Sequence, residues 1–443
     1  MGEDQLHGYR GELRKRLEEA GAGVGDLLRV EKDGNIHEGA LMPRLENDDD
    51  WHVVIKMKTG YNIGISYGEG TSISRIGVAE KPEFRPPPLP ETKLGLPRVS
   101  IVSTGGTIAS RVDYVTGGVQ AAISSRDLLS IVPELSDIAA IDADILYSTF
   151  SENIDAEHWT GMAHRIAEKI RDGTQGVVIT HGTDTLGYSS AALSFILRNL
   201  PVPVIFVGSQ RSSDRPSSDA ATNLVGVVTT AAHAPFAEVA LGMHETTSDT
   251  SIIFHRGTKA RKCHTSARYA FKSVNAEPIA RFSDGEIVMI TKNYRRRGEG
   301  ELELRDQFED RVALLKFHPG LHAGAIDRLV DDGYKGLIIE GTGLGHVNTG
   351  LYDSLRRAVK SGMVVGMAAQ CIWGRIDMDV YTTGRELQEI GVLPLEDMLA
   401  ETAFVKLKWA LANSDDTEGA VELMRRNIAG EYSDRTLYTG RFG

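Results

Sequence analysis

The chain of 443 residues has little of several features that mark common functional classes. Its two cysteines, Cys263 and Cys371, are too few for a zinc site built from cysteine alone, and such low usage is typical of a reducing compartment. No apolar run approaches the roughly 18 residues that a membrane-spanning helix needs. The first residues lack the basic start and apolar block of a secretory signal. We therefore expect a cytoplasmic protein with no membrane association and no metal site.

Positive charge is also scarce relative to negative charge. The 49 lysines and arginines against 61 aspartates and glutamates give a net charge of -12. Because that charge repels polyanions at long range, strong binding of nucleic acid by this chain alone is not expected. Aromatic residues make up only 7% of the chain while glycines number 47, a composition that suits an α/β protein with many short turns.

Prolines divide the chain. Six of the 15 prolines fall between Glu80 and Arg98, which predicts a stiff, extended linker at residues 81–97. Before it, a helix near residues 8–20 and short β-like runs separated by turn residues predict a small β-barrel domain at residues 1–80.

After the linker, apolar strands alternate with helical segments. Such alternation predicts a doubly wound, mostly parallel sheet. A second interruption near residue 298 separates two lobes in this prediction, at 98–300 and 301–425, and leaves a C-terminal tail at 426–443.

Two of the predicted strands end in glycine and threonine. Thr107 follows a glycine pair in the run IVSTGGTIAS, and Thr183 with Asp184 closes the run VVITHGTDT. Neither run has the lysine and spacing of a P-loop or the GxGxxG of a dinucleotide site. Because ligands of open α/β sheets bind beyond the carboxyl ends of the strands, we expect these ends to form one site, together with the strand-end residues Ser209, Gly341 and Gln370.

A threonine hydroxyl is a poor nucleophile until a base removes its proton. Two residues are candidates to assist. Tyr114 lies on a glycine-bounded loop that is suited to act as a lid. Lys262 lies in the basic run RGTKARKCH, and a lysine serves as a base only where burial or a neighbouring cation favours its neutral form.

Each of these residues also has a structural explanation. The glycines before Thr107 are typical of a tight turn with a helix cap, and Thr183 or Asp184 could be the N-cap of the next helix. Lys262 could belong to a solvated basic surface. His181 beside Thr183 is more typical of a structural hydrogen bond than of a protease-like base. Their combination, rather than any one residue, favours catalysis.

That combination resembles a known family. TGGTIA at 104–109 followed by HGTDT at 181–185 is similar to the two signature motifs of the bacterial-type L-asparaginase and glutaminase family. The resemblance extends over residues 98–425 and implies an asparaginase-like, two-lobed fold. Four further segments match in order and spacing: SENI at 151–154, VGSQR at 207–211, FKSVN at 271–275 and YTTGR at 381–385.

The resemblance also implies roles for individual residues. Thr107 would be the primary nucleophile and Tyr114 the lid tyrosine that helps to activate it. Lys262 would complete a second set with Thr183 and Asp184 that positions the amide and drives acyl transfer. The implied reaction is hydrolysis of an amide through an acyl-threonine, with release of ammonia.

Four residues are implied to bind the substrate. Ser151 and Glu152 would hold the carboxylate and amine of the amino acid, where a carboxylate neutralises an ammonium through a charge-assisted hydrogen bond. Asp184 would also contact the α-amino group. Gly182 would line the site, and backbone amides near it could stabilise an oxyanion.

The first 97 residues and the tail GEYSDR at 430–435 depart from free-standing asparaginases. They are similar to the D-subunit family of archaeal glutamyl-tRNA(Gln) amidotransferases. This similarity implies that the chain binds no cofactor itself and releases ammonia for an E-type partner subunit. The partner would use ATP and Mg and carry most of the contact with tRNA. A homodimer that forms a heterotetramer with the partner is implied.

Two other functions are open at this point. One is a free-standing cytoplasmic L-asparaginase with an accessory N-terminal domain. The other is a catalytically inactive scaffold, which is disfavoured because every catalytic residue type is present. Glutamine and asparagine differ by one methylene, worth roughly 1–3 kcal/mol in a pocket, so the sequence leaves the preferred substrate undecided.

Overall fold

The fold is described from a computed structural model of the chain. The predicted linker up to residue 94, Thr107 and Tyr114 lie outside the residues that it describes. Those residues are 6, 8–44, 48–57, 62–78, 95–106, 108, 110–112, 119–121, 132–211 and 218–436.

The N-terminal region is a helix packed on an antiparallel sheet. Its core contains Tyr9, Leu13 and Leu17 from the helix side and alternate strand residues such as Leu28 and Val30. The structure therefore shows a small N-terminal β domain with a leading helix, as predicted. The predicted barrel is not closed within the described residues, because the two end strands of the sheet do not pair with each other there. The elements are α1 (Gly11–Glu19), β1 (Asp26–Lys32), β2 (Asn35–Leu41), β3 (His52–Met57), β4 (Asn62–Ser66) and β5 (Thr71–Val78), in the sheet order β4-β3-β2-β1-β5.

An eight-stranded mixed sheet forms the first lobe of the catalytic region. Five neighbouring strands are parallel, as predicted, and three antiparallel strands that the sequence did not suggest extend the far side. The order is β18-β17-β14-β13-β12-β10-β6-β9. The strands of this lobe are β6 (Arg98–Gly105), β7 (Ser110–Val112), β8 (Val119–Ala121), β9 (Ala140–Thr149), β10 (Gly176–Thr180), β11 (Leu197–Arg198), β12 (Val204–Val207), β13 (Val239–His244), β14 (Ser251–Arg256), β15 (Ala260–Lys262), β16 (Phe271–Ser273), β17 (Ala280–Ser283) and β18 (Glu286–Met289).

Helices cover both faces of this sheet, so its central strands are buried on both sides. Along β10, Val177 and Ile179 pack into one apolar cluster while Val178 packs into the other, as the two-residue period of a strand requires. A side chain at the N-cap starts one of the helices, where the Asp155 carboxylate accepts from the backbone N–H of His158 at 3.2 Å. The helices are α2 (Leu135–Ile138), α3 (Ala156–Arg171), α4 (Leu186–Ile196) and α5 (Ala220–His233), with a 3₁₀ turn at Ser151–Asn153.

The second lobe has a four-stranded parallel sheet in the order β20-β21-β22-β23. Because this is a separate sheet, the prediction of one shared edge is wrong for Gly341 and Gln370. The backbone N–H of Gln370 donates to Gly341 at 3.0 Å at the end of the second sheet instead. The elements are β19 (Glu303–Leu304), β20 (Val312–Lys316), α6 (Gly324–Asp331), β21 (Gly336–Gly341), α7 (Tyr352–Lys360), β22 (Val364–Ala369), α8 (Thr382–Ile390), β23 (Leu393–Pro394), α9 (Ala400–Ala412) and α10 (Thr417–Arg425), with a 3₁₀ turn at Thr349–Leu351.

One apolar cluster joins the two lobes. Phe195 of α4 stacks on Trp409 of α9, with ring centroids 5.8 Å apart. The indole N–H of Trp409 donates to the carbonyl of Arg305 at 2.8 Å, and β11 pairs with β19 across the same boundary. The predicted two-lobed α/β architecture is confirmed. No described helix is both long and apolar enough to cross a membrane.

Candidate active site

The two predicted motif turns lie against each other. Strands β6 and β10 are parallel neighbours, so their carboxyl ends meet at one edge of the sheet. A Cβ on Gly106, which has φ +85°, would lie 2.6 Å from the backbone nitrogen of Gly182. Only a glycine permits that approach. The expected convergence of the two motifs therefore holds up to Gly106, the residue before Thr107.

Lys262 joins the second motif from a distant part of the chain. Its Nζ donates to Thr183 Oγ1 at 2.8 Å and to Asp184 Oδ1 at 2.7 Å. The lysine lies at the end of β15, which forms a hairpin with β16. Thr183 is 9% exposed and the Lys262 side chain 14%, whereas the Asp184 side chain is 70% exposed. The trio therefore runs from a buried hydroxyl to an open carboxylate.

This arrangement suits proton transfer at a hydroxyl. An ammonium at Lys262 donates to the hydroxyl oxygen of Thr183, and a neutral amine would instead accept the hydroxyl proton. Asp184 holds the lysine in place with one oxygen, and its exposed carboxylate can also accept from the ammonium of an amino acid. The hydrogen bonds thus support both an acid–base function and a binding function.

The turn after β9 carries Ser151 and Glu152. The hydroxyl of Thr185 donates to the carbonyl of Ser151 at 2.6 Å, which ties this turn to the motif at residue 183. A Cβ on Gly182 would lie 2.8 Å from the Cβ of Ser151, so these residues are in close contact. Glu152 is exposed and has no hydrogen bond or salt bridge within the described residues. Its carboxylate is therefore free to bind a cationic group.

His181 is a structural residue in this geometry. Its Nδ1 lies 2.6 Å from the carbonyl oxygen of Gly182, so Nδ1 must carry the proton. Its Nε2 then accepts from the hydroxyl of Ser189 at 2.9 Å, and that hydroxyl accepts from the indole of Trp159 at 2.9 Å. Complete burial lowers the pKa of His181 from 6.5 to about 4. Both ring nitrogens are occupied, which agrees with the structural explanation for this histidine.

The structure brings together five of the residues that the sequence suggested: Ser151, Gly182, Thr183, Asp184 and Lys262. Glu152 lies on the same turn as Ser151. The contact of Thr185 with that turn was missed. Thr185 is the N-cap of α4, so neither Thr183 nor Asp184 occupies that position, and the Thr185 side chain makes no cap hydrogen bond. The second threonine of the TDT sequence at residues 183–185 was the signal that could have pointed to Thr185.

The two cysteines of the chain do not pair with each other. Cys263 and Cys371 are both exposed and free. Within the residues that the structure describes, no group of three or more histidine, cysteine, aspartate or glutamate side chains could hold a metal ion.

Three family models match the chain in consecutive segments. The asparaginase N-terminal model matches residues 98–295, and the glutaminase/asparaginase C-terminal domain model matches residues 311–424. The GatD N-terminal domain model matches residues 22–76.

Curated relatives match the chain over nearly its whole length. The chain is 48% identical over 431 residues to the D subunit of the glutamyl-tRNA(Gln) amidotransferase of Pyrococcus abyssi, covering 95% of this chain and 98% of the relative. It is 50% identical over 430 residues to the D subunit from Thermococcus kodakarensis, covering 95% and 97%. The chain belongs to the D-subunit family of glutamyl-tRNA(Gln) amidotransferases. The predicted resemblance is therefore confirmed.

Solved structures place the catalytic lobes of this family member among the asparaginases. The thermostable L-asparaginase from Thermococcus kodakarensis is 31% identical with a TM-score of 0.70, and 100% of it aligns with 76% of this chain. An L-asparaginase I from Vibrio cholerae is 27% identical with a TM-score of 0.68 and covers 76% of this chain. Nearly all of each asparaginase aligns with this chain, but each covers only 76% of it. The chain therefore has sequence beyond that shared fold.

Proposed function

We propose that the chain is the glutaminase subunit of a tRNA-dependent amidotransferase. It hydrolyses the side-chain amide of glutamine, or of asparagine, and releases ammonia. An E-type partner subunit uses that ammonia, with ATP and Mg, to convert Glu-tRNA(Gln) into Gln-tRNA(Gln). The observation that carries the proposal is the contact of Lys262 with Thr183 and Asp184, in a chain that aligns end to end with D-subunit relatives.

Acylation requires a nucleophilic hydroxyl and a leaving ammonia. Thr107, assigned by its motif, attacks the carboxamide carbon while its proton is removed, with Tyr114 assisting as the lid residue. The tetrahedral intermediate collapses when the C–N bond breaks and the nitrogen gains a proton, which yields ammonia and an acyl-threonine. Lys262 Nζ and Thr183 Oγ1 lie 2.8 Å apart, which is close enough for a proton to pass between them.

Deacylation uses water in place of ammonia. Water attacks the ester carbon, the threonine oxygen recovers its proton, and glutamate or aspartate leaves. The same hydrogen-bonded pair of Lys262 and Thr183 can take the proton from water. Backbone amides beside Gly182 would stabilise the negative oxygen in both tetrahedral intermediates.

The charged ends of the amino acid match the exposed groups around the site. Asp184 and Glu152 supply two carboxylates for the α-ammonium group, and both are open to solvent. Ser151 supplies a buried hydroxyl beside Gly182 for the α-carboxylate. One methylene separates the two possible substrates, so the amide-donor preference is modest in this proposal.

The rest of the assignment concerns assembly. We propose a homodimer that forms a heterotetramer with the E-type subunit in the cytoplasm, with tRNA bound mainly by the partner. The net charge of -12 supports a partner that carries the nucleic acid. The domain limits stay as predicted from sequence, with a β domain at 1–80, a linker at 81–97, lobes at 98–300 and 301–425, and a tail at 426–443.

A free-standing L-asparaginase is the second candidate, because the fold of the two catalytic lobes is common to both. The match of residues 22–76 to the GatD N-terminal domain favours the amidotransferase assignment. The thermostable L-asparaginase from Thermococcus kodakarensis leaves about a quarter of this chain unmatched.

Ammonia release by the purified chain separates the two candidates. It is measured from glutamine and from asparagine, each with and without ATP, Glu-tRNA(Gln) and the E-type partner. The proposal predicts weak activity alone that rises on glutamine when partner and tRNA are added. Fast asparagine hydrolysis that is indifferent to these additions would support the asparaginase. Thr107→Ala should abolish ammonia release and leave the melting temperature unchanged.

A further inference from the structure

The hairpin that carries Lys262 is anchored at its base and also at Arg261, which pairs with Glu401 of α9 at 3.3 Å. Lys259 immediately precedes β15, and its carbonyl accepts from the backbone N–H of Val274, just beyond β16, at 2.9 Å. Lys262 lies three residues further on, opposite Phe271. A contact that fixes Lys259 therefore helps to fix the position and direction of the strand that presents Lys262.

Lys259 is fixed by the second lobe. Its Nζ lies 2.8 Å from Asp397 Oδ2 and 3.2 Å from the carbonyl oxygen of the same residue. The two side chains are 1% and 2% exposed, so this ion pair is shielded from water. Asp397 lies between β23 and α9, 138 residues from Lys259 in sequence. The pair thus crosses the boundary between the lobes.

The C-terminal tail holds the other side of the same carboxylate. The backbone N–H of Ser433 donates to Asp397 Oδ1 at 3.0 Å, and the Ser433 hydroxyl donates to the carbonyl of Asn275 at 3.0 Å. Both carboxylate oxygens of Asp397 are therefore engaged by donors. One donor is the hairpin lysine and the other is the tail, and Arg375 Nη2 lies 3.9 Å from Oδ1.

Further contacts across the boundary repeat this pattern. Asn275 and Gly374 exchange two hydrogen bonds of 2.8 Å. The hydroxyl of Thr402 donates to the carbonyl of Thr258 at 2.8 Å. The base of the hairpin is thus held by several directional contacts, and Asp397 lies among them as the only charged group that meets both hairpin and tail in the described residues.

We propose that Asp397, held by Ser433 of the C-terminal tail, is a positioning residue that sets Lys262 against Thr183 by fixing Lys259. The inference rests on the proposed function, in which Lys262 is catalytic. A hydrogen-bonded pair at 2.8 Å tolerates little displacement, and an error of about 1 Å in a catalytic group can lower a rate about 100-fold. The tail therefore takes part in catalysis without touching the substrate.

The variant Asp397→Asn tests the positioning directly. An amide has one acceptor and one donor end, so in either orientation its NH₂ group faces a donor, Lys259 or the Ser433 N–H. We expect kcat on glutamine to fall about 100-fold. KM should change less than about threefold, because no substrate contact is removed.

A double variant separates positioning from stability. Asp397→Asn combined with Lys259→Met removes both buried charges, so the melting temperature should recover most of what either single change loses. The anchor is still missing, and kcat should stay low. Recovery of kcat together with melting temperature would overturn the proposal, because it would reduce the pair to a structural role.

The Lys262→Met background gives the sharpest discrimination. If Asp397 acts only through Lys262, then adding Asp397→Asn to Lys262→Met should lower the residual kcat no further. An equal fold loss in both backgrounds would overturn the proposal. If Lys262→Met alone keeps wild-type kcat, the proposed function of Lys262 fails instead, so the two failures are distinguishable.

Lys408→Met is a control for the loss of a lysine–carboxylate pair. The Lys408 side chain in α9 is 11% exposed and pairs at 3.0 Å with Asp310 of the same lobe, whose side chain is 83% exposed. This variant should lower the melting temperature less than Lys259→Met and leave kcat of the folded protein unchanged. A kcat loss here as large as that of Asp397→Asn would also overturn the proposal, since any lost ion pair would then have the same effect.

Discussion

Two lysines three residues apart make opposite kinds of ion pair. Lys259 and Asp397 are sealed, with side chains 1% and 2% exposed. Lys262 and Asp184 are open at one end, with side chains 14% and 70% exposed. The N–O distances are nearly equal, at 2.8 and 2.7 Å, so distance alone does not distinguish them. Access to solvent does.

The difference matters because catalysis needs groups that can meet a substrate. A sealed pair has every partner inside the protein, so it holds two parts of the chain in one geometry. An open pair keeps an exposed carboxylate and a lysine beside a hydroxyl, which a substrate can reach. One short segment of sequence therefore supplies both the anchor and the reactive group.

The largest expected effect follows from breaking the open pair. Lys262→Met should lower kcat/KM on glutamine about 1000-fold, since general acid–base groups contribute roughly 10²–10⁴-fold. Ammonia release measures this effect. Lys272→Met is the control, because Lys272 lies on the facing strand of the same hairpin and should retain near wild-type activity. Equal losses in the two variants would show that the hairpin, rather than the amine of Lys262, matters.

Breaking the sealed pair should act on stability as well. Lys259→Met leaves the buried Asp397 carboxylate with only the more distant Arg375, at 3.9 Å, as a cationic partner, so the free energy of unfolding should fall by up to roughly 3 kcal/mol. Chemical denaturation measures the change. The double change with Asp397→Asn should be clearly less destabilising. A loss below about 0.5 kcal/mol in the single variant would contradict the sealed environment.

A smaller effect concerns pH and His181, another sealed group. Burial lowers its pKa from 6.5 to about 4, so the folded state favours neutral imidazole. Between pH 6.5 and about 4 the unfolded chain takes up a proton that folded His181 does not. Stability should therefore fall as the pH falls through that window, by on the order of 2 kcal/mol. Above pH 6.5 this contribution does not change.

The comparison with His181→Gln isolates that histidine. Other buried histidines, such as His255 with a pKa lowered to about 3 by burial, titrate in both proteins and cancel. Denaturation midpoints are measured at pH 7, 5.5 and 4.5. They should fall less steeply with decreasing pH in the variant than in the wild type. Identical pH slopes for the two proteins would show that His181 is not held neutral.

The fold followed from sequence wherever strands were buried on both faces. Strand β10 (Gly176–Thr180) contains the apolar part of the run VVITHGTDT that the sequence predicted as a strand, because a short apolar run between polar segments has few alternatives. Strand β9, at the edge of the sheet, was missed because Asp142 and Asp144 interrupt its apolar pattern. The antiparallel strands β14, β17 and β18 were missed because alternation of strands and helices predicts only parallel connections.

The site was predictable only in part. Strand-end motifs placed Thr183 and Asp184, since parallel strands share an edge. Lys262 is 79 residues from Thr183, and its contact was expected from family resemblance rather than from spacing. Nothing in the sequence paired Lys259 with Asp397, because a buried lysine in a basic run has the same pattern as a solvated one.

Transfer of an isotopic label tests the central claim most directly. Glutamine labelled with ¹⁵N in its amide is supplied to the chain together with the E-type partner, ATP, Mg and Glu-tRNA(Gln), and the ¹⁵N content of the product Gln-tRNA(Gln) is measured. The account predicts that the label appears in the tRNA-bound glutamine and disappears with Thr107→Ala or Lys262→Met. Label found only in free ammonia, with no amidated tRNA, would contradict it.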